Sequence, residues 1–149
     1  MKPPRILTTV WVLLGTATAA WANPELTLTS DDSCYPMGAT VTVNVDLSNG
    51  PAAIVAGQFF LSYDNTKLTF VSANPASSVW TREVFESIAP GAGTIDYAVG
   101  IEDEGTGATS GTMAVLTFTA AAEVCNTAGL VSFRTNDPPT TIIDENDAT

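Results

Sequence analysis

VAGQFFLSYDNTKLTFV, residues Val55–Val71, reads as two β-strands joined by a tight turn. Phe59, Leu61 and Tyr63 alternate with Gln58, Phe60 and Ser62, a period of two that puts the first set on one face of a strand and the second on the other. Leu68 and Phe70 resume the alternation after Asp64-Asn65-Thr66, whose side chains can bond their own backbone two residues on, which is turn chemistry and not ladder chemistry. Working outward, Thr40–Ser48 sets Val41, Val43, Val45 and Leu47 against Thr42, Asn44 and Asp46, the pattern of a sheet with one wet side. Thr94–Ile101 alternates in the same way, with Ile95, Tyr97, Val99 and Ile101 against Thr94, Asp96, Ala98 and Gly100.

Further strands are predicted at Glu25–Ser30, Val84–Ala89, Thr112–Ala121 and Gly129–Thr135, with a short extra piece at Thr140–Ile143. Gly, Pro, Asn and Asp punctuate the intervals, and no amphipathic helix of useful length occurs. The fold class is therefore all-β, an antiparallel β-sandwich of jelly-roll type. No internal repeat and no linker interrupts it.

The first 22 residues have the layout of a secretory signal peptide: Lys2 and Arg5, an apolar run over Ile6–Ala20, then Ala20-Trp21-Ala22. The run contains four threonines and a glycine and falls short of the roughly 20 apolar residues that a membrane span requires. Cleavage after Ala22 is expected, leaving residues 23–149 as one exported domain, secreted or at the cell surface, with no membrane insertion. The formal net charge of the whole chain is −11, and Lys67, Arg82 and Arg134 are the only basic residues after the leader. Such a surface repels phosphate backbones and anionic lipid, which excludes nucleic acid as a partner.

Cys34 and Cys125 are the two cysteines, and in an exported protein such a pair is expected to form a disulfide. The chain has no histidine, so neither a Ser-His nor a Cys-His pair can be built. A two-carboxylate glycosidase is the enzyme class that composition leaves open. A compact sandwich offers it no cleft, and the domain is expected to be non-catalytic.

With the strands placed, three stretches carry a family resemblance. They are Thr40-Val41-Thr42-Val43 running through Asn49 to FFLSYDNTKLTFV, the segment Glu102-Asp103-Glu104-Gly105-Thr106-Gly107-Ala108, and Ala114-Val115-Leu116-Thr117-Phe118. In order and spacing they resemble the cohesin domains, relatives of the cellulose-binding modules, over nearly all of residues 23–149. The resemblance implies a nine-stranded jelly roll that holds a dockerin, a small calcium-loaded helical module, on extracellular assemblies that degrade polysaccharide. It implies a partner-binding face formed by Gln58, Phe60, Ser62, Asp96, Ala98 and Glu102. Gln58 departs from the acidic residue that many cellulosomal members carry there, whereas Glu102 matches a family acidic residue. The family's last strand, which pairs beside the first, has no counterpart before Thr149, so the domain is expected to be incomplete at its C-terminal end.

Several residues have a second reading. Phe60 is either a partner anchor, as aromatic residues commonly are in interfaces, or a side chain covered by the protein itself. Trp80 could stack on a sugar ring, the alternative in which the domain binds polysaccharide directly, but a single loop tryptophan more often closes a core. Glu102, Asp103 and Glu104 could ligate calcium. Consecutive positions aim neighbouring carboxylates apart, so a solvated loop is favoured, and Asp144-Glu145-Asn146-Asp147 lacks the glycine and terminal glutamate of a calcium loop. No cofactor is therefore assigned.

Overall fold

The alternation in Thr40–Ser48 becomes a nine-residue strand whose valines and Leu47 are buried and whose polar residues are half-exposed. In the computed structural model, which describes residues 24–50, 52–76, 78–102, 105–125, 129–135 and 138–146, every regular element is a strand. The expected leader lies outside the described residues, as do Asp103, Glu104 and Asp147. In chain order the strands are β1 (Glu25–Ser30), β2 (Cys34–Tyr35), β3 (Thr40–Ser48), β4 (Ile54–Tyr63), β5 (Leu68–Pro75) and β6 (Arg82–Ala89). They continue with β7 (Thr94–Gly100), β8 (Gly111–Ala120), β9 (Val124–Cys125), β10 (Val131–Phe133) and β11 (Thr141–Asp144).

Two antiparallel sheets stack on each other. One runs β1-β3-β8-β5, and the other runs β10-β4-β7-β6 with β11 also on β4. Their inner faces meet through Val41, Val45, Leu116 and Phe118 on one side and Phe59, Leu61, Ile95, Tyr97 and Val99 on the other, all fully buried. Tyr63 and Phe70 tilt onto the ring of Phe118, with centroids 5.2 and 5.8 Å apart, within the range where aromatic pairs attract. Between β4 and β5, the Asp64 carboxylate accepts hydrogen bonds from the Thr66 amide at 3.0 Å and its hydroxyl at 2.5 Å. These bonds hold the Asp64 carboxyl below its usual pKa and make the turn that the sequence signals.

Cys34 and Cys125 are disulfide-bonded, and they face each other across a two-stranded ladder of β2 and β9. Each of these strands is two residues long, too short to leave a periodic signal. The strand expected over Gly129–Thr135 is shorter than predicted and shares the edge of β4 with β11: β10 pairs with Leu61–Tyr63, and β11 with Ile54–Gln58. Pro138 and Pro139 lie between them, and a proline has no N–H to give a ladder. The chain therefore leaves β4 at Phe60 and returns after the prolines. Among the described residues, nothing pairs with the outer edge of β1.

Candidate functional site

The register of the five-stranded sheet sets the site. Phe60 lies opposite Asp96, Gln58 opposite Ala98, and Ser62 opposite Thr94, and residues directly opposite in a ladder share a face. Phe59, Leu61 and Tyr97 take the core, so this second set faces away from the other sheet. On the far side of β4, Ser62 meets Ser132 with their hydroxyls 3.1 Å apart, and Gln58 meets Thr141. Glu102 follows the end of β7, exposed, and accepts a hydrogen bond from the Thr81 hydroxyl at 3.2 Å. Gln58, Phe60, Ser62, Asp96 and Ala98 thus lie on one outer surface, with Glu102 at its end.

Phe60 is on that surface yet only 6 % exposed, because the gap between β10 and β11 is filled over it. The Arg134 amide donates to the Phe60 carbonyl at 2.7 Å, and the Phe60 amide donates to the Thr140 hydroxyl at 3.2 Å. The Arg134 guanidinium lies 5.3 Å from the Phe60 ring centroid and is ion-paired with the Asp96 carboxylate. A cation within about 6 Å of an aromatic face is attracted by its quadrupole, so Arg134 serves Phe60 and Asp96 together. Sequence reasoning counted Arg134 only as a charge. The proline pair that loops the chain over Phe60 is the one local clue to this role.

Exposed apolar side chains stand among the polar residues Arg82, Ser87 and Thr141 on the flanking strands of this face. Val84, Phe85 and Ile143 are 60 %, 46 % and 40 % exposed, and sequence reasoning did not single them out. Glu83 pairs with Val99 and Phe85 with Ala98, leaving Val84 as the extra residue of a β-bulge, a device that re-aims side chains. The bulge hides the period of two in β6. Below it, burial and then the Glu83 charge raise the Tyr97 hydroxyl far above its ordinary pKa, with the hydroxyl 3.2 Å from the Glu83 carboxylate.

Trp80 is fully buried and its indole N–H donates to the Ile54 carbonyl at 2.9 Å. It closes one end of the core and presents no ring face on which a sugar could stack, which removes the residue on which the polysaccharide alternative rested. Among the described residues, no three acidic or cysteine side chains converge as a metal site would require.

The sequence profile of the family described as Cohesin domain matches residues 24–141. The chain is a member of the cohesin family. The fold agrees. The second type II cohesin module of the cellulosomal adaptor ScaA scaffoldin of Acetivibrio cellulolyticus superimposes with a TM-score of 0.63 at 16 % identity, covering 84 % of this chain and 86 % of that one. Type II cohesin A11 from Bacteroides cellulosolvens gives 0.62 at 15 % identity, covering 80 % and 86 %. The type I Coh-OlpA-Doc918 complex from Clostridium thermocellum gives 0.60 at 13 % identity, covering 83 % and 87 %. Comparison with curated proteins finds no sequence match. The jelly-roll sandwich expected from strand patterning is thus the architecture that this cohesin shares with these modules.

Proposed function

We propose that this cohesin is a non-catalytic docking module that binds a dockerin-type protein module through the outer face of its five-stranded sheet, within a secreted or cell-surface assembly acting on polysaccharide. The observation that carries the reading is the apolar, solvent-facing surface of Val84, Phe85 and Ile143 on an otherwise rigid, hydrogen-bonded sheet. Apolar area of this kind, set in a polar rim, is what protein interfaces use. Cohesins among the structural neighbours are described in complex with dockerins, which supports the partner class. Gln58, Ser62, Asp96, Ala98 and Glu102 form the polar and small-residue part of the contact, and Phe60 supports it from beneath Arg134.

The test is titration of a panel of calcium-loaded dockerin modules by calorimetry, repeated in chelator. Ser62→Trp, on the face, is expected to abolish binding. Asn44→Trp, on the outer side of the other sheet, should leave it unchanged. If Asn44→Trp abolishes binding and Ser62→Trp does not, the wrong sheet has been assigned.

A further inference from the structure

A sheet edge carries a row of unpaired N–H and C=O groups, and natural proteins blunt such rows with bulges, prolines, charges or short strands. Among the described residues the two stacked sheets have four edges, and three follow that rule. β5 has a bulge between Phe70 and Ser72 and ends on Pro75. β6 has the bulge at Val84 and exposes Arg82, Glu83 and Glu86. β10 and β11 divide their edge into three and four residues on either side of Pro138 and Pro139. β1 has none of these devices. Its six residues, ELTLTS, pair with β3 without a break from Glu25–Ser48 to Ser30–Val43, and carry one charge, at Glu25.

The core is open on the same side. A cavity of about 370 Å³ lies beside β1, walled by Leu28, Val41, Val43 and Leu68 from one sheet and by Leu130 and Val131 at the start of β10. Leu26 and Leu28 are only partly buried against the core. A strand laid along β1 would satisfy the free backbone groups and cover the cavity mouth with its inward side chains, the mode of β-strand addition.

Charge and register select β1 of a second copy as that strand. Beyond Glu25 the strand is uncharged, so two chains of net charge −11 can meet here without setting like charges in contact. Antiparallel pairing about a two-fold axis at Thr27 sets Leu26 against Leu28 and Glu25 against Thr29, with the leucines of both copies inward. An axis at Leu28 would set Glu25 against Asp31 twice, and an axis between the two residues would set leucine against threonine and turn one core face outward. We propose that the protein self-associates as a two-fold dimer through β1, joining two four-stranded sheets into one of eight strands. The pairing uses both free edges and leaves none for a third molecule.

Six residues at about 3.4 Å each give an edge about 20 Å long, and two sheets about 10 Å apart with their outer side chains make it about 20 Å deep. The contact thus removes on the order of 800 Å² in total, less than the roughly 1,200 Å² of stable specific interfaces. A reversible dimer is expected, with Kd on the order of 10 μM. It forms at an edge and leaves the outer face of the five-stranded sheet open, so it stands apart from docking.

Sedimentation equilibrium from tenfold below to tenfold above that Kd should show the mass of the purified protein rising from one chain toward two. Thr27→Glu sets two carboxylates directly opposite each other and should weaken the dimer about tenfold, whereas Ser72→Glu on the β5 edge should leave it unchanged. Circular dichroism and thermal unfolding establish that both variants are folded. Without any variant, amide hydrogen exchange in β1 should slow as concentration rises while that in β5 and β6 does not. A protein that stays monomeric throughout overturns the proposal. So does a dimer whose β1 amides exchange as in the monomer, one weakened by Ser72→Glu and not by Thr27→Glu, or association that continues past two chains.

Discussion

Replacing Trp80 with Phe tests whether this side chain is a core plug or a surface platform. The indole is fully buried, and its N–H donates to the Ile54 carbonyl, which also accepts the Ala108 amide at 3.3 Å. Losing the indole donor therefore does not orphan the carbonyl, and the hydrogen-bond loss is held to about 1 kcal/mol. The smaller ring leaves a void worth about 1–2 kcal/mol more. Together these give about 2–3 kcal/mol, which for a domain of this size lowers Tm by on the order of 10 °C. Trp80→Ala should cost more, about 3–5 kcal/mol from truncation alone. Urea denaturation followed by far-ultraviolet circular dichroism reads the change as a shifted midpoint at constant slope. A Trp80→Phe protein within about 0.5 kcal/mol of the parent, the range of ordinary surface substitutions, would show that the plug contributes nothing.

Other perturbations have equally definite outcomes. Cys34→Ser/Cys125→Ser opens a loop whose ends are 91 residues apart in sequence, and in the chain-entropy treatment this costs about 4–5 kcal/mol; a urea midpoint unaffected by reductant in the parent protein would contradict it. Gly93 has φ +64°, and a Cβ there would lie 2.4 Å from the Tyr63 carbonyl oxygen, so Gly93→Ala should destabilise by more than the about 1–2 kcal/mol of a left-handed residue alone; a smaller loss would mean that the β6–β7 turn can shift. Tyr35, Tyr63 and Tyr97 all have pKa values raised in the folded state, Tyr97 most. The unfolded chain then ionises first, so stability is intact below about pH 10 and falls above it, by up to about 1.4 kcal/mol per pH unit for each tyrosine held neutral. Urea midpoints that do not decline above that pH would contradict the burial of Tyr97.

The sandwich was legible because its long strands each bury one face. Val41, Val43, Val45 and Leu47, and likewise Phe59, Leu61 and Tyr63, cannot change register without exposing a whole apolar row, so their alternation fixes which face is inside. The same alternation put Gln58 and Ser62 on one face of their strand and Asp96 and Ala98 on one face of theirs, the family resemblance brought the two strands together, and the ladder aligns them through backbone bonds. What could not be read is what depends on interruptions. The β2–β9 ladder is two residues long and is held beside a disulfide. The bulge at Val84 breaks the period of β6, and the prolines after Arg134 bring a cation onto a ring far away in sequence. Each is set by tertiary contact, for which a local pattern carries no information.

If the proposed face binds a partner, Arg134 governs how the binding energy is distributed over it. Its pair with Asp96 is about a third exposed on each side, so a partner covering it must strip water from two charges that already satisfy each other, and such burial roughly breaks even. A groove of about 230 Å³ on the same face, lined by Ala56, Gln58, Val84, Ala98 and Ile143, has no comparable ion pair, and its apolar area favours contact at about 25 cal/mol per Å² covered; Ala98→Leu would fill it. The ion pair is therefore expected to orient a partner while the groove holds it. Arg134→Ala removes the cover from Phe60 and leaves Asp96 without its cation, which should cost about 1–2 kcal/mol of stability from the lost ring contact and charged hydrogen bond. The newly bared phenyl ring adds apolar surface where the pair had been. Dockerin affinity should consequently change less in Arg134→Ala than in Ala98→Leu, with the difference mainly in association rate and its salt dependence, as for charges that steer. Calorimetry and stopped-flow on the two variants separate the possibilities. A larger affinity loss in Arg134→Ala, carried by faster dissociation, would place the anchor at the ion pair and away from the groove.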